Sequence, residues 1–128
     1  MVDSGDRSSS GKRKLFSLLC HGSIFLGSLL FTSAIPLVVL LLFDDPVIKA
    51  TAKETLNYHF NIWLYGAITA GLIAFLSPFS ILILPIFLIW GIGGAFFLFH
   101  LVPPIFGILA VLNNPNEPYR YPFIWRLL

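Results

Sequence analysis

The placement of charge along this chain constrains its fold more than any other feature. Its eight Lys/Arg, six Asp/Glu and three His fall almost entirely in three short patches, residues 3–14, 44–59 and 117–126. Between the patches lie apolar stretches without a single Asp, Glu, Lys or Arg. A soluble domain keeps about a quarter of its residues charged to cover its surface; here the share is 11%, against 57% hydrophobic residues. Long uncharged stretches of this kind are matched to the interior of a bilayer, where helices satisfy their own backbone.

The first stretch, residues 15–43, follows the basic cluster Lys12, Arg13 and Lys14. It has the outline of a secretory signal, with small residues at Thr32, Ser33 and Ala34. A signal's apolar region is only about 7 to 15 residues long, whereas here the apolar run continues through Phe43, so the segment reads as part of the mature fold. As a straight helix it would extend roughly 43 Å against a hydrocarbon core of about 30 Å. That is too long for one upright span and too short for two. Gly27, Ser28, Thr32, Ser33 and Pro36 lie near its middle, where a break is least costly. A tilted, kinked span and a broken helical hairpin both fit the length.

Asp44, Asp45 and Pro46 form a strong helix start, because Asp45 can accept from the first free amides and Pro46 suits the first helical position. The pattern predicts a helix over residues 46–76, stopped by Ser77 and Pro78. Its first part carries Lys49, Lys53, Glu54, Asn57, His59 and Asn61, and the remainder is apolar. A third apolar run, residues 79–112, is interrupted by Pro85, a glycine cluster at 91–94, His100 and the pair Pro103 and Pro104. Its length predicts kinks or a short surface piece before the crossing. The expected organisation is a disordered basic tail (1–14), a helical membrane domain (15–112) and an interfacial aromatic and basic tail (113–128).

Charge placement chooses between the topologies. Cytoplasmic flanks of membrane helices carry an excess of Lys and Arg. Three full spans would divide the eight basic residues evenly, whereas a first run folded as a hairpin leaves all eight on one side. The expectation is therefore an all-α integral membrane protein of about four helical segments, the first run a broken hairpin. Both termini are expected to be cytoplasmic, in a bacterial inner or thylakoid membrane.

Glu54, Asn57 and Asn61 are spaced three and four apart and so form one polar stripe on the second helix. Such a stripe can line a water-filled path or hold a polar ligand, or simply sit among headgroups. Gly66, Ala70 and Ala74 recur every fourth residue, as do Ala67 and Gly71; small residues at this spacing let helices approach closely in lipid. Packing within the chain is favoured over self-association. Tyr119, Arg120, Tyr121, Trp125 and Arg126 mix amphipathic rings with long cations, the composition of an interfacial anchor.

No catalytic constellation is visible. Cys20 and His21 are adjacent and point about 100° apart on a helix. The three histidines lack metal-site spacing, and the single cysteine excludes an internal disulfide or a cysteine-based zinc site. No cofactor or metal is implied, and a net charge of +2 without a basic stripe gives no sign of nucleic-acid binding.

Four motifs carry a resemblance: Leu19-Cys20-His21-Gly22, Asp44-Asp45-Pro46-Val47, K-E-T-L-N-Y-H-F-N at 53–61, and E-P-Y-R-Y-P-F-I-W-R at 117–126. In these the chain resembles the bacterial membrane family known as domain of unknown function 4870, particularly its cyanobacterial forms. That family is distantly similar to the membrane subunit of the chloroplast inner-envelope import translocon. The resemblance implies a multi-helix membrane fold and carries over no catalytic residue. The function expected from all this is a non-enzymatic assembly or scaffold component that packs against other membrane helices. The alternative is a pore or transport subunit, which the resemblance would tie to protein translocation.

Overall fold

A computed structural model describes residues 4–26 and 29–128. It contains four α-helices: α1 (Ser4–Gly22), α2 (Leu29–Leu42), α3 (Pro46–Leu76) and α4 (Ile83–Asn113). Short 3-10 turns occupy Ser23–Phe25 and Ser77–Phe79. No strand is present among the described residues.

The first apolar run is broken, with α1 ending before the turn at Ser23–Phe25 and α2 starting at Leu29. Gly27 and Ser28, two of the residues expected at the break, lie outside the described residues. Thr32, Ser33 and Pro36 continue α2. The two arms fold back on each other. Phe16 of α1 stacks against Phe43 just beyond α2, ring centroids 4.0 Å apart. Arg13 Nε donates to Asp45 Oδ2 at 2.8 Å, and Arg13 Nη1 donates to Asn116 Oδ1 at 3.1 Å. The chain thus returns to the level it left, and the end of α4 meets it there. α1 begins at Ser4, inside the segment expected to be a disordered tail; these ties at Arg13 hold its middle against the bundle.

The sequence bounds of α3 match the structure. Asp45 Oδ1 accepts from the Val47 amide at 2.9 Å and the Ile48 amide at 3.2 Å, and Pro46 stands at the first helical position. With 31 residues each, α3 and α4 extend roughly 46 Å, enough to cross a bilayer. α2, with 14 residues, extends roughly 21 Å and is too short to do so.

The third run forms one long helix after the turn at Ser77–Phe79. α4 passes through Gly91, Gly93 and Gly94 and through Pro103 and Pro104 as one helix. Prolines 103 and 104 lack the amide hydrogens that would bond the carbonyls of Phe99 and His100, four residues earlier. The Tyr58 hydroxyl of α3 reaches these same two oxygens, with His100 O at 3.0 Å. One hydroxyl hydrogen from the neighbouring helix, shared between the two carbonyls, thus partly replaces the missing donors, and the helix continues.

α3 packs on α1, α2 and α4, and α1 also packs on α4. The core gathers around the first half of α3, from Ile48 to Ile62, and the last third of α4, from Pro103 to Val111. Beyond it, the distal halves of α3 and α4 project as a two-helix hairpin with exposed apolar side chains, among them Phe75, Ile83 and Trp90. In the most apolar windows of the two helices only 6% and 22% of residues are buried. Neither is therefore the core helix of a soluble protein, and an apolar surface this extensive requires lipid or a partner to cover it.

Burial alone would raise the Asp45 carboxyl, but the Arg13 guanidinium and the amides of Ile48 and Val47 outweigh it and hold it below its ordinary value. The stabilisation is therefore complete above the ordinary carboxylate range and is lost as pH falls through the folded-state value. Asp45→Ala is expected to cost about 1–2 kcal/mol in thermal unfolding in detergent at pH 7, as an N-cap loss. Asp45→Asn keeps a cap acceptor and should cost less, and its difference from wild type should shrink below about pH 4.

Candidate functional site

The polar stripe on α3 faces neither water nor lipid. Glu54, Asn57 and Asn61 are all buried, and their side-chain oxygens are occupied by the backbone and one side chain of the C-terminal tail. Glu54 accepts three bonds: the Tyr121 amide at 2.7 Å, Arg126 Nη2 at 2.7 Å and Arg126 Nε at 3.0 Å. The guanidinium engages both carboxylate oxygens, the bidentate geometry that makes such pairs strong. The same Nη2 also donates to the Tyr121 carbonyl at 3.0 Å. This pairing raises the Arg126 pKa above its ordinary value.

Asn61 uses both ends of its amide. Its Oδ1 accepts from the Trp125 amide at 2.9 Å, while Nδ2 donates to the Trp125 carbonyl and to the Asn57 carbonyl, each at 2.7 Å. Asn57 Oδ1 accepts from the Leu127 amide at 2.7 Å and the Leu128 amide at 3.1 Å. These contacts trace a loop. The tail leaves the level of Glu54 at Tyr121, rises to Tyr65 at Phe123, then returns past Asn61 to Asn57. Phe123 makes the turn with φ of 58°, a left-handed conformation costing a non-glycine residue roughly 1–2 kcal/mol. The Tyr65 hydroxyl holds it there by donating to the Phe123 carbonyl at 2.9 Å.

A column of aromatic rings runs beneath this loop. Tyr121 stacks on Tyr58, centroids 4.2 Å apart and planes 18° apart, and Tyr119 meets Tyr121 edge-on at 5.2 Å. Burial pushes the Tyr121 hydroxyl well above its ordinary pKa, and this neutral hydroxyl hydrogen-bonds with Nδ1 of His21 on α1. The His21 ring lies flat against α4. A Cβ added at Gly107 would stand 2.8 Å from Nδ1 and 3.0 Å from Cγ, so only glycine fits there. Four buried ring nitrogens among the described residues have no hydrogen-bond partner: Nε2 of His21, both nitrogens of His59, and Nδ1 of His100. No group of three metal-ligating side chains occurs among the described residues.

The residues singled out from sequence thus fall into different environments. Glu54, Asn57, Asn61, Tyr121 and Arg126 come together in the helix–tail junction. Tyr121 is buried in the core, Tyr119 is half-buried, and Arg120, Trp125 and Arg126 lie toward the surface. Of the small-residue set, Gly66 makes a close helix approach, its absent Cβ only 3.2 Å from Phe96 of α4. Ala67, Ala70, Gly71 and Ala74 are exposed on the projecting hairpin. Sequence reasoning missed Tyr58, His21 as the partner of Tyr121, and Gly107. The available signals were the Pro103-Pro104 pair, which demands an outside donor, and a lone glycine near a helix end.

A family model for the magnetosome magnetite crystal formation proteins (MamF/MmsF) matches residues 12–128, from the basic end of α1 through the tail. No curated protein and no solved structure matches the chain. This finding overturns the resemblance to domain of unknown function 4870 and to the import translocon subunit. Two of the four motifs that carried it, at 53–61 and 117–126, are the two halves of the helix–tail junction. They record an architecture, and architecture is a weak guide to family or function.

Asn61→Leu removes both bonds to Trp125 and is expected to cost about 1–3 kcal/mol, the penalty for unpaired buried backbone groups. Glu54→Ala should cost at least as much, by freeing Arg126 as well as the Tyr121 amide. Limited proteolysis after Arg120 or Arg126 reads the outcome: slow in wild type, markedly faster in both variants.

Proposed function

Since the chain belongs to the magnetosome magnetite crystal formation protein family, we propose that it is a non-enzymatic membrane component of magnetite crystal formation, acting through contacts with other membrane helices. The family match across residues 12–128 carries the proposal. Membrane localisation follows from the family together with two helices long and apolar enough to span. A thylakoid location has no support.

An exposed apolar surface supports this reading. Ala67, Ala70, Gly71 and Ala74 present small side chains outward on the distal half of α3, and a Cβ added at Gly71 would meet nothing within 4 Å. In lipid, such a face allows a second helix to approach closely. A conducting path along Glu54, Asn57 and Asn61 finds no such support, since the tail takes up their side-chain oxygens. Nothing in the family description points to translocation either.

In the proposed topology, α3 and α4 cross the membrane and the α1–α2 hairpin enters and leaves on the side that carries both ends of the described chain. Arg13, Asp45 and Asn116 meet at that end, while the turn at Ser77–Phe79 lies a helix length away and has no charge. The excess of basic residues assigns the charged end to the cytoplasm.

Deleting the gene in a magnetite-forming host is expected to change the size or number of crystals seen by electron microscopy. Wild type should restore them, and Ala70→Leu/Gly71→Leu should fail to, at equal membrane abundance. Unchanged crystals after deletion would contradict the functional reading; full rescue by the double variant would contradict the helix-contact part. For topology, cysteines placed at Ser8 and Glu117 in a Cys20→Ser background should react with an impermeant reagent from one side of the membrane, and one at Ser80 from the other.

A further inference from the structure

Two cavities on one side of α3 share a wall. The first, about 180 Å³, is lined by Lys53, Arg120 and Arg126, together with Glu54, Asn57 and Leu128. Glu54 is matched by its bidentate bond to Arg126. Neither Lys53 nor Arg120 has an ion-pair partner among the described residues, and their two positive charges exceed the single negative charge that a carboxylate at Leu128 would add to the cavity. The second, about 350 Å³, is an open apolar trough between α2 and α3, with Leu37, Leu56, Phe60 and Trp63 in its walls. Asn57 and Leu128 line both.

We propose that the two cavities form one site for a single anionic phospholipid, its phosphate between Lys53 and Arg120 and an acyl chain along the trough toward Trp63. Three features specify that occupant, and none depends on the role in magnetite formation. Charge selects an anion at one end, and apolar walls select a hydrocarbon at the other. From Lys53 to Trp63 the site descends α3 by ten residues, roughly 15 Å, away from the charged end of the molecule and toward the projecting hairpin. That is the direction in which a lipid tail runs from its headgroup.

The third feature lies where the polar and apolar parts meet. His59 is 1% exposed, lines the trough, and has no partner for either ring nitrogen. An imidazole always carries at least one N–H, and an unbonded buried donor is costly. The ester carbonyls of a phospholipid fall between its phosphate and its chains, as His59 falls between Lys53 and Trp63 along α3. Both ring nitrogens are covered in the structure, so a turn of the ring toward the trough would be what brings its N–H to such a carbonyl. A free phosphate would engage the cations and leave both the trough and His59 unused.

Native mass spectrometry of the delipidated full chain in neutral detergent tests the site. The titrants are phosphatidylglycerol, phosphatidylcholine with the same acyl chains, and inorganic phosphate. Wild type is expected to bind one phosphatidylglycerol at least tenfold more tightly than phosphatidylcholine, and phosphate at equal concentration should not displace it. Lys53→Ala/Arg120→Ala should lower phosphatidylglycerol affinity roughly thirtyfold, about what two interfacial cations contribute, and leave phosphatidylcholine unchanged. Leu37→Trp, at a half-exposed trough position, should weaken both lipids several-fold. Both residues of the double variant are exposed, so its melting curve without lipid should match wild type. Equal binding of the two lipids, binding of neither, undiminished phosphatidylglycerol affinity in the double variant, or displacement by phosphate would each overturn the proposal.

Discussion

The junction between α3 and the C-terminal tail governs the rest of the structure. Backbone amides and carbonyls buried away from water must find partners within the protein, because hydrocarbon and apolar side chains supply none. A helix meets this demand by itself; the nine irregular residues after Tyr119 cannot. Glu54, Asn57 and Asn61 solve the problem from outside the segment, giving acceptors to the amides of Tyr121, Trp125, Leu127 and Leu128 and a donor to the Trp125 carbonyl. Their spacing along one helical face lets a single helix serve both arms of the loop. The buried Glu54 is in turn tolerable because Arg126, from the same tail, meets it with two bonds.

The same logic extends to α4. Pro103 and Pro104 leave two carbonyls without amide donors, and Tyr58 supplies the replacement. Tyr58 is positioned by stacking on Tyr121, which is fixed by its amide bond to Glu54 and its hydroxyl contact with His21. Gly107 then lets the His21 ring, and α1 with it, approach α4. Polar groups from three helices and the tail thus form one connected network in which each member satisfies another. Such networks specify a unique arrangement when complete and are costly when partly broken. The network occupies the charged end of the molecule, and past Tyr65, which holds the Phe123 carbonyl, the distal hairpin makes no polar side-chain tie to the tail among the described residues. That division suits a protein that is rigid at one membrane face and presents apolar helices to its surroundings.

Much of the scaffold was legible in the sequence. Asp45-Pro46 and Ser77-Pro78 fixed both ends of α3, because capping and proline stereochemistry are local. The length of residues 15–43 against bilayer thickness left a hairpin open, and the charge asymmetry chose it. The polar stripe was also legible as a stripe. Its partner was not, since the groups it binds are mainly backbone amides, which every residue but proline possesses. The continuity of α4 was hidden for a related reason: two prolines leave carbonyls without donors, and the donor that serves them, the Tyr58 hydroxyl, sits on another helix. The family was misread because the specific motifs were those of the junction itself, a structural device rather than a functional signature.

Amide hydrogen exchange of the full chain in lipid nanodiscs tests the central claim most directly. The amides of Tyr121, Trp125, Leu127 and Leu128 should exchange slowly, like those of α3 beside them; Trp125, Leu127 and Leu128 should lose protection when Asn57 and Asn61 are replaced by leucine, and Tyr121 when Glu54 is replaced by alanine. Exchange at these four positions as fast as in an unstructured peptide, with α3 still protected, would show that the tail is not held by the helix and would contradict the account.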